Sequence, residues 1–274
     1  MNASKFEDII KHNIDNKEEV MACVDKFYGL LGMDSGSQIM DLPQVIGSLF
    51  SSNNFFAIQL PMKDQELGAL CFKGNYGVGY IFINSSLPQY NVNFALCHEV
   101  CHVCINKDID YNTAELYENA SYLGNRSERI ANQFAGIVLM PERHIRRMYE
   151  KFASEVNQKD EISPKAVVIC KLMSYFKSPY MAVLIRLREL NLINDSDALL
   201  NLLPITHEDV QRIYEKYWLD TTALRPTFRD DYPRLKDLVK TVGAENLEAE
   251  VMYEADLNEG LKNLDELYHQ IKEG

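Results

Sequence analysis

Several things are scarce in this sequence, and each scarcity excludes something. Among 274 residues there are one tryptophan, nine prolines and thirteen glycines, which excludes collagen-like and low-complexity chains. No apolar run approaches the roughly 18 residues of a membrane span. Met1 to Asn13 spread Lys5, Glu7, Asp8 and Lys11 among apolar positions, so the stretch lacks the apolar core of about 7–15 residues of a secretory signal. The expected location is therefore the cytoplasm, with no membrane partner. Positive charge is also short, at 28 Lys and Arg against 40 Asp and Glu for a net charge of −12. Such a balance disfavours non-specific polyanion binding, and direct nucleic-acid binding is not expected. The six cysteines, Cys23, Cys71, Cys97, Cys101, Cys104 and Cys170, do not read as a disulfide framework in a cytoplasmic chain of this size.

What is present is an ordinary globular composition with strong helical periodicity. Phe6, Ile9 and Ile10, then Val20, Cys23, Val24, Phe27 and Leu31, predict one or two amphipathic helices over 4–32, and a short helix follows from Pro43 to Phe50. Three strand-like runs come next, Phe55–Leu60, Leu67–Phe72 and Gly79–Ile83, with a hairpin turn at Gly74-Asn75-Tyr76-Gly77. They predict a small antiparallel sheet. Beyond Pro88 helices are expected at 91–106, 114–123, 127–140, 142–156, 163–177 and 179–191, then a junction at 192–204, helices at 207–217 and 232–241, and a long acidic helix at the end. Its Leu257, Leu261, Leu264, Tyr268 and Ile271 form a packing face. The fold class is α+β, with residues 1–192 as the main domain and 193–274 as a helical C-terminal region with a regulatory or substrate-binding role. Charge is uneven: residues 245–274 hold nine acids against two lysines, while 141–190 hold ten Lys and Arg against six acids.

The chemistry concentrates in Cys97-His98-Glu99-Val100-Cys101-His102. Histidines at i and i+4 sit one turn apart on one helix face, so both imidazoles can reach one ion, and Glu99 between them can take a proton from water. Phe94, Cys97, His98, Cys101, His102 and Ile105 make one continuous stripe, which turns the histidine pair toward the core. On the next helix Ala131, Phe134, Ala135, Val138 and Leu139 define the buried face, and three residues before Ala131 stands Glu128. A carboxylate on a buried face needs compensation, and a zinc ion shared with His98 and His102 would provide it. The plain alternative is a first-turn acid after Ser127, favoured by the helix dipole. Asn132, one turn on, would orient that carboxylate, contact substrate, or hydrogen-bond within the helix layer.

These segments resemble the ImmA/IrrE family of metallopeptidases. The resemblance rests on Tyr80-Ile81-Phe82-Ile83-Asn84, Phe94-Ala95-Leu96 with the histidine motif, Glu128-x-x-Ala131-Asn132-x-Phe134-Ala135, Leu139-Met140-Pro141, and Ser178-Pro179-Tyr180 to Leu190. It covers roughly residues 50–192 and implies a zincin-like core, zinc on His98, His102 and Glu128, a catalytic Glu99, and a helix-turn-helix repressor as protein substrate. The family usually has glycine where Cys101 stands; here a thiol would narrow the site or reach the metal, or else serve as a small buried residue like Cys97 and Cys104.

Other readings compete. Cys101-x-x-Cys104 with a histidine would make a structural zinc site, and Cys97-x-x-x-Cys101-His102 has one residue too many for haem attachment. Residues 163–190 would fold as a DNA-reading helix pair with Lys165, Lys171, Lys177, Arg186 and Arg188 on phosphates, though the second helix carries few polar residues to read bases. A non-catalytic antirepressor is a third reading, against which Glu99 speaks. For the oxyanion donor the candidates are Tyr111, Tyr117, Tyr122, His144 and Tyr180.

Overall fold

Short polar side chains and one glycine set the ends of the first helices. In the computed structural model, which describes residues 1–73, 78–106, 126–157 and 162–273, Asn2 accepts from the Lys5 N–H at 2.9 Å and starts α1 (Ala3–Asp15). Helix α2 (Lys17–Leu30) ends where Gly32 takes φ 63°. The Gly32 and Met33 N–H groups then close back on the Gly29 and Tyr28 carbonyls, satisfying acceptors that a helix end leaves open. Asp41 caps α3 (Leu42–Ser52) through the Gln44 N–H.

Three strands follow, β1 (Phe55–Leu60), β2 (Ala69–Lys73) and β3 (Gly79–Asn84). Their order is β1-β3-β2, with β2 antiparallel and β1 parallel to β3. The expectation of a wholly antiparallel sheet is thus corrected to a mixed one. The short link between β2 and β3 makes those two strands neighbours, which leaves β1 the opposite edge of β3, where it runs parallel. Its register is fixed where the Phe55 ring lies over Gly79, a position with no room for a Cβ. The turn expected at residues 74–77 and the helix expected at 114–123 lie outside the described residues.

The remaining described elements are helical. They are α4 (Gln89–Val100) with a π turn at Cys101–Ile105, α5 (Arg126–Leu139), α6 (Glu142–Glu155), α7 (Pro164–Phe176), α8 (Tyr180–Glu189), α9 (Ser196–Leu202), α10 (His207–Lys216), a 3-10 turn at Thr222–Leu224, α11 (Tyr232–Glu248) and α12 (Glu254–Glu273). The junction expected at 192–204 therefore contains α9, whose Leu199 and Leu202 are buried, and the helix expected at 232–241 runs on to Glu248. Among the described residues no helix is long and apolar enough to cross a membrane; the apolar α7–α8 pair bends by 107°.

In that pair most of the basic side chains named for phosphate contacts have partners within the chain. Val183, Leu184, Arg186 and Leu187 of α8 are buried, and Arg186 is spent on the Met140 carbonyl and on Glu189. Lys165, Lys171 and Arg188 pair with Asp195, Glu155 and Glu7.

The sheet has two covered faces. Phe55, Ile81 and Ile83 join the main core with α3 and α4, while Ile58, Leu60, Tyr80 and Phe82 meet Tyr232 and Leu235 of α11 and Tyr268 and Ile271 of α12. Leu257 of α12 packs directly on Gly243 of α11, again where a Cβ would not fit. The segment leading into α11 is stitched to the sheet edge: the Gln59 N–H donates to the Asp231 carboxylate at 3.0 Å, and the Asp231 N–H to the Gln59 carbonyl at 2.8 Å. Tyr214 of α10 meets Tyr90 of α4, hydroxyl to hydroxyl, at 3.2 Å.

One buried side chain connects the sheet to α4. Asn84, fully buried, uses both amide hydrogens on the Asp64 and Leu67 carbonyls and accepts from the Met62 and Ser86 N–H groups, the full capacity of the group. It holds the β1–β2 loop so that Gly68 lies against Ala95 of α4. Asn84→Leu keeps the branching at Cγ but takes the partner from four backbone groups, one buried and three part-buried, and should cost ~2–4 kcal/mol in urea unfolding. A loss below ~0.5 kcal/mol would mean that the loop is held by something else.

Candidate metal centre

The site is built where α4 and α5 cross. Ala131, Phe134 and Ala135 of α5 are fully buried, and the two alanines keep that face flat enough for close approach. Phe134 sits edge-on against Phe27 of α2. The start of α5 is tied down by Arg126, which pairs with Glu19 and bonds to Asn16, and by Gln133 donating to the Asn13 carbonyl at 2.8 Å. Glu128, in the first turn, is thereby pressed against α4.

The helix expected at 91–106 changes winding within the motif. It is α-helical through Val100 and then takes a π turn, closed by the Asn106 N–H on the Cys101 carbonyl. Lys26 of α2 supports its exit by donating to the Ile105 carbonyl at 2.5 Å. The extra residue in the turn sets the direction in which His102 leaves the backbone; such turns recur at functional sites.

His98, His102 and Glu128 converge. The two Nε2 atoms are 2.9 Å apart, His98 Nε2 is 3.1 Å from Glu128 Oε2, and His102 Nε2 is 3.2 Å from Glu128 Oε1. Donors held about 2.0–2.1 Å from one tetrahedral ion stand ~3.3–3.4 Å from each other; each imidazole nitrogen is near that distance from one Glu128 oxygen, and one donor atom from each residue lies within 4.8 Å of the other two. Two imidazole nitrogens facing each other at 2.9 Å also require a proton or a cation between them. The donor set therefore fits a metal ion, and among the described residues it is the one His/Cys/Asp/Glu group that closes this tightly. On the far side of its ring His98 Nδ1 meets Asn132 Oδ1 at 3.0 Å. Asn132 thus bonds to an imidazole on the neighbouring helix, where the sequence reading left open the carboxylate, substrate or a hydrogen bond within the helix layer.

Electrostatics follow from the burial. Desolvation pushes Glu128 upward, yet hydrogen bonds from His102 and His98 and their charges hold its carboxyl far below the ordinary range. For His98, desolvation opposes protonation, but the Glu128 hydrogen bond and the charges of Glu99 and Glu128 outweigh it and raise the pKa. Glu99 is buried, and desolvation raises its pKa against the lowering effect of His98 and His102. A buried carboxylate of raised basicity beside a metal-ligand set has what a general base needs.

The thiols turn elsewhere. Cys101 is buried and hydrogen-bonded to Cys23 of α2, and that bond together with desolvation pushes its thiol up, so it stays protonated. Cys104 accepts from Asn53 at 3.6 Å. Neither belongs to the three-residue group, and among the described residues no cysteine closes with a histidine in such a group. Of the oxyanion candidates, Tyr180 donates its hydroxyl to the Leu202 carbonyl, His144 sits on α6 outside the group, and Tyr111, Tyr117 and Tyr122 lie outside the described residues.

Comparison with known families agrees with this geometry. Residues 55–188 match the family model Peptidase_M78, described as the IrrE N-terminal-like domain. No curated protein matches the chain.

The signs of the shifts predict a stability profile for protein kept metal-free with a chelator. The contribution of Glu128, whose pKa is depressed, is present above the ordinary carboxylate range and lost as pH falls. That of His98, whose pKa is raised, is present below the ordinary imidazole range and lost as pH rises through its folded value. The urea midpoint should peak between about pH 4.5 and 6.5. Glu128→Gln should abolish the acid flank and weaken the alkaline one; an unchanged acid flank would show that Glu128 is not held ionised by the histidines.

Proposed function

Residues 55–188 belong to the IrrE N-terminal-like family of metallopeptidases, and from that premise we propose that this chain is a zinc-dependent endopeptidase that cleaves a helix-turn-helix repressor and so relieves repression. The observation that carries the reading is the convergence of His98, His102 and Glu128 beside a buried Glu99. Two imidazoles and one carboxylate, leaving a fourth position open, are a ligand set of catalytic zinc.

Zinc bound there would supply a Lewis acid that polarises the scissile carbonyl and makes water easier to deprotonate. Glu99 takes the proton from the attacking water and returns it to the leaving amine nitrogen. Burial serves this step, because a desolvated carboxylate binds a proton more firmly than one in water. Glu128 and the histidines stay fixed throughout, held by the α4–α5 contact.

The repressor as substrate is supported by the family resemblance and by charge. Exposed acids crowd α12 and the end of α11, among them Glu248, Glu254 and Glu259, and a DNA-binding protein offers the complementary basic face. Such a role places the protein in the cytoplasm, where its six unbridged cysteines are at home.

Glu99→Gln separates cleavage from binding. It keeps the size of the side chain and cannot accept a proton, so zinc and repressor should still bind while cleavage slows by about 10²–10⁴. Metal content by elemental analysis and fragments on a gel read the two properties separately. A Glu99→Gln protein that relieves repression as well as the wild type, with zinc bound and no fragments formed, would replace the peptidase reading with a binding one.

A further inference from the structure

Glu128 and Asn132 stand one turn apart on α5, and both face α4. Glu128 meets the Nε2 side of the histidine pair, whereas Asn132 meets the opposite side of the His98 ring, Oδ1 to Nδ1 at 3.0 Å. An imidazole has one nitrogen on each side, and what one does limits the other: if Nδ1 keeps its proton and donates it, Nε2 is left with the lone pair that a metal needs. We propose that Asn132 is a positioning residue that holds His98 in the Nδ1–H form and fixes its ring plane, so that the Nε2 lone pair points at the metal. The proposal rests on the zinc reading of the site above.

The residue type is informative. A carboxylate at this place would accept the same proton more strongly, but it would add a third buried negative charge beside Glu99 and Glu128. The amide oxygen accepts without charge. It leaves the imidazole less basic, and hence the metal a stronger Lewis acid, than an aspartate would. The placement also explains why one helix carries both groups. Any shift of α5 along α4 moves the ligand and the acceptor together, so the site is set by a single helix–helix contact.

Two substitutions test this in the full-length protein. Asn132→Leu nearly preserves the shape and removes the acceptor; Asn132→Asp preserves the acceptor and strengthens it. Zinc affinity, measured by competition with a chromophoric chelator, should fall about 10–100-fold in the leucine variant and be equal to or tighter than wild type in the aspartate variant. In zinc-loaded protein, the His98 Nδ1–H proton should give a protected, downfield NMR signal in the wild type. That signal should move further downfield in the aspartate variant and exchange away with water in the leucine variant. Unchanged affinity and an unchanged signal in Asn132→Leu, with zinc lost in Glu128→Ala, would overturn the positioning role alone. Zinc retained in both Glu128→Ala and His102→Ala would instead overturn the metal reading beneath it. If Asn132→Leu does not fold, Asn132→Asp decides: looser zinc and an upfield signal would overturn the proposal.

Discussion

A carboxylate buried against two imidazoles is the constraint on which the rest of the structure depends. Glu128 is almost wholly shielded from water, and a charge so placed is tolerable only with hydrogen-bonding or cationic partners at hand. His98 and His102 supply them from a different helix. The α4–α5 contact must therefore be close, and the flat alanine face of α5, the Phe27–Phe134 contact and the tether of Arg126 to Glu19 all hold it so. Relaxing any of these would leave a desolvated charge with partners at the wrong distance, a cost felt as lost stability before it is felt as lost chemistry.

The same constraint accounts for the local irregularity of the motif helix. His98 belongs to an α-helical turn and His102 to a π turn, so the two rings do not simply stack but meet at 60°. Cys101, at the start of the π turn, is buried and hydrogen-bonded to Cys23 of α2. The thiol at this place is a packing feature of the α2 interface, and the three-residue group closes without it.

Much of this was legible in the sequence because it is local. The i, i+4 spacing of His98 and His102 and the stripe from Phe94 to Ile105 put both rings on a buried face, and stepping back from Ala131 put Glu128 on another; the fold brings those faces together. The helix boundaries at 140/142 and 177/179 were equally readable, since Pro141 and Pro179 act on their neighbours. What escaped was non-local or finer than a pattern. Whether β1 runs with or against β3 depends on a pairing between residues far apart, and alternation looks the same either way. The π turn differs from an α turn by one hydrogen-bond register, which hydrophobic spacing does not resolve. Asn132 was noticed at its place one turn from Glu128, but its partner lies on another helix, and periodicity along α5 alone could not say which of its neighbours it would meet.

The cover of the sheet's second face has a consequence for how the chain assembles. Ile58, Leu60, Tyr80 and Phe82 are shielded by Tyr268 and Ile271, and the Lys63 side chain reaches the Glu273 carbonyl across 210 positions of sequence. On a growing chain the strands leave the ribosome long before the helix that hides them, while the α4–α5 contact joins segments close in sequence. Contacts between distant segments form late, because a long loop must close first. The metal-site core is thus the early-forming part, and the sheet presents a row of wet apolar side chains until α12 docks. For that interval the nascent protein is a client for whatever cellular machinery guards exposed apolar strands against aggregation.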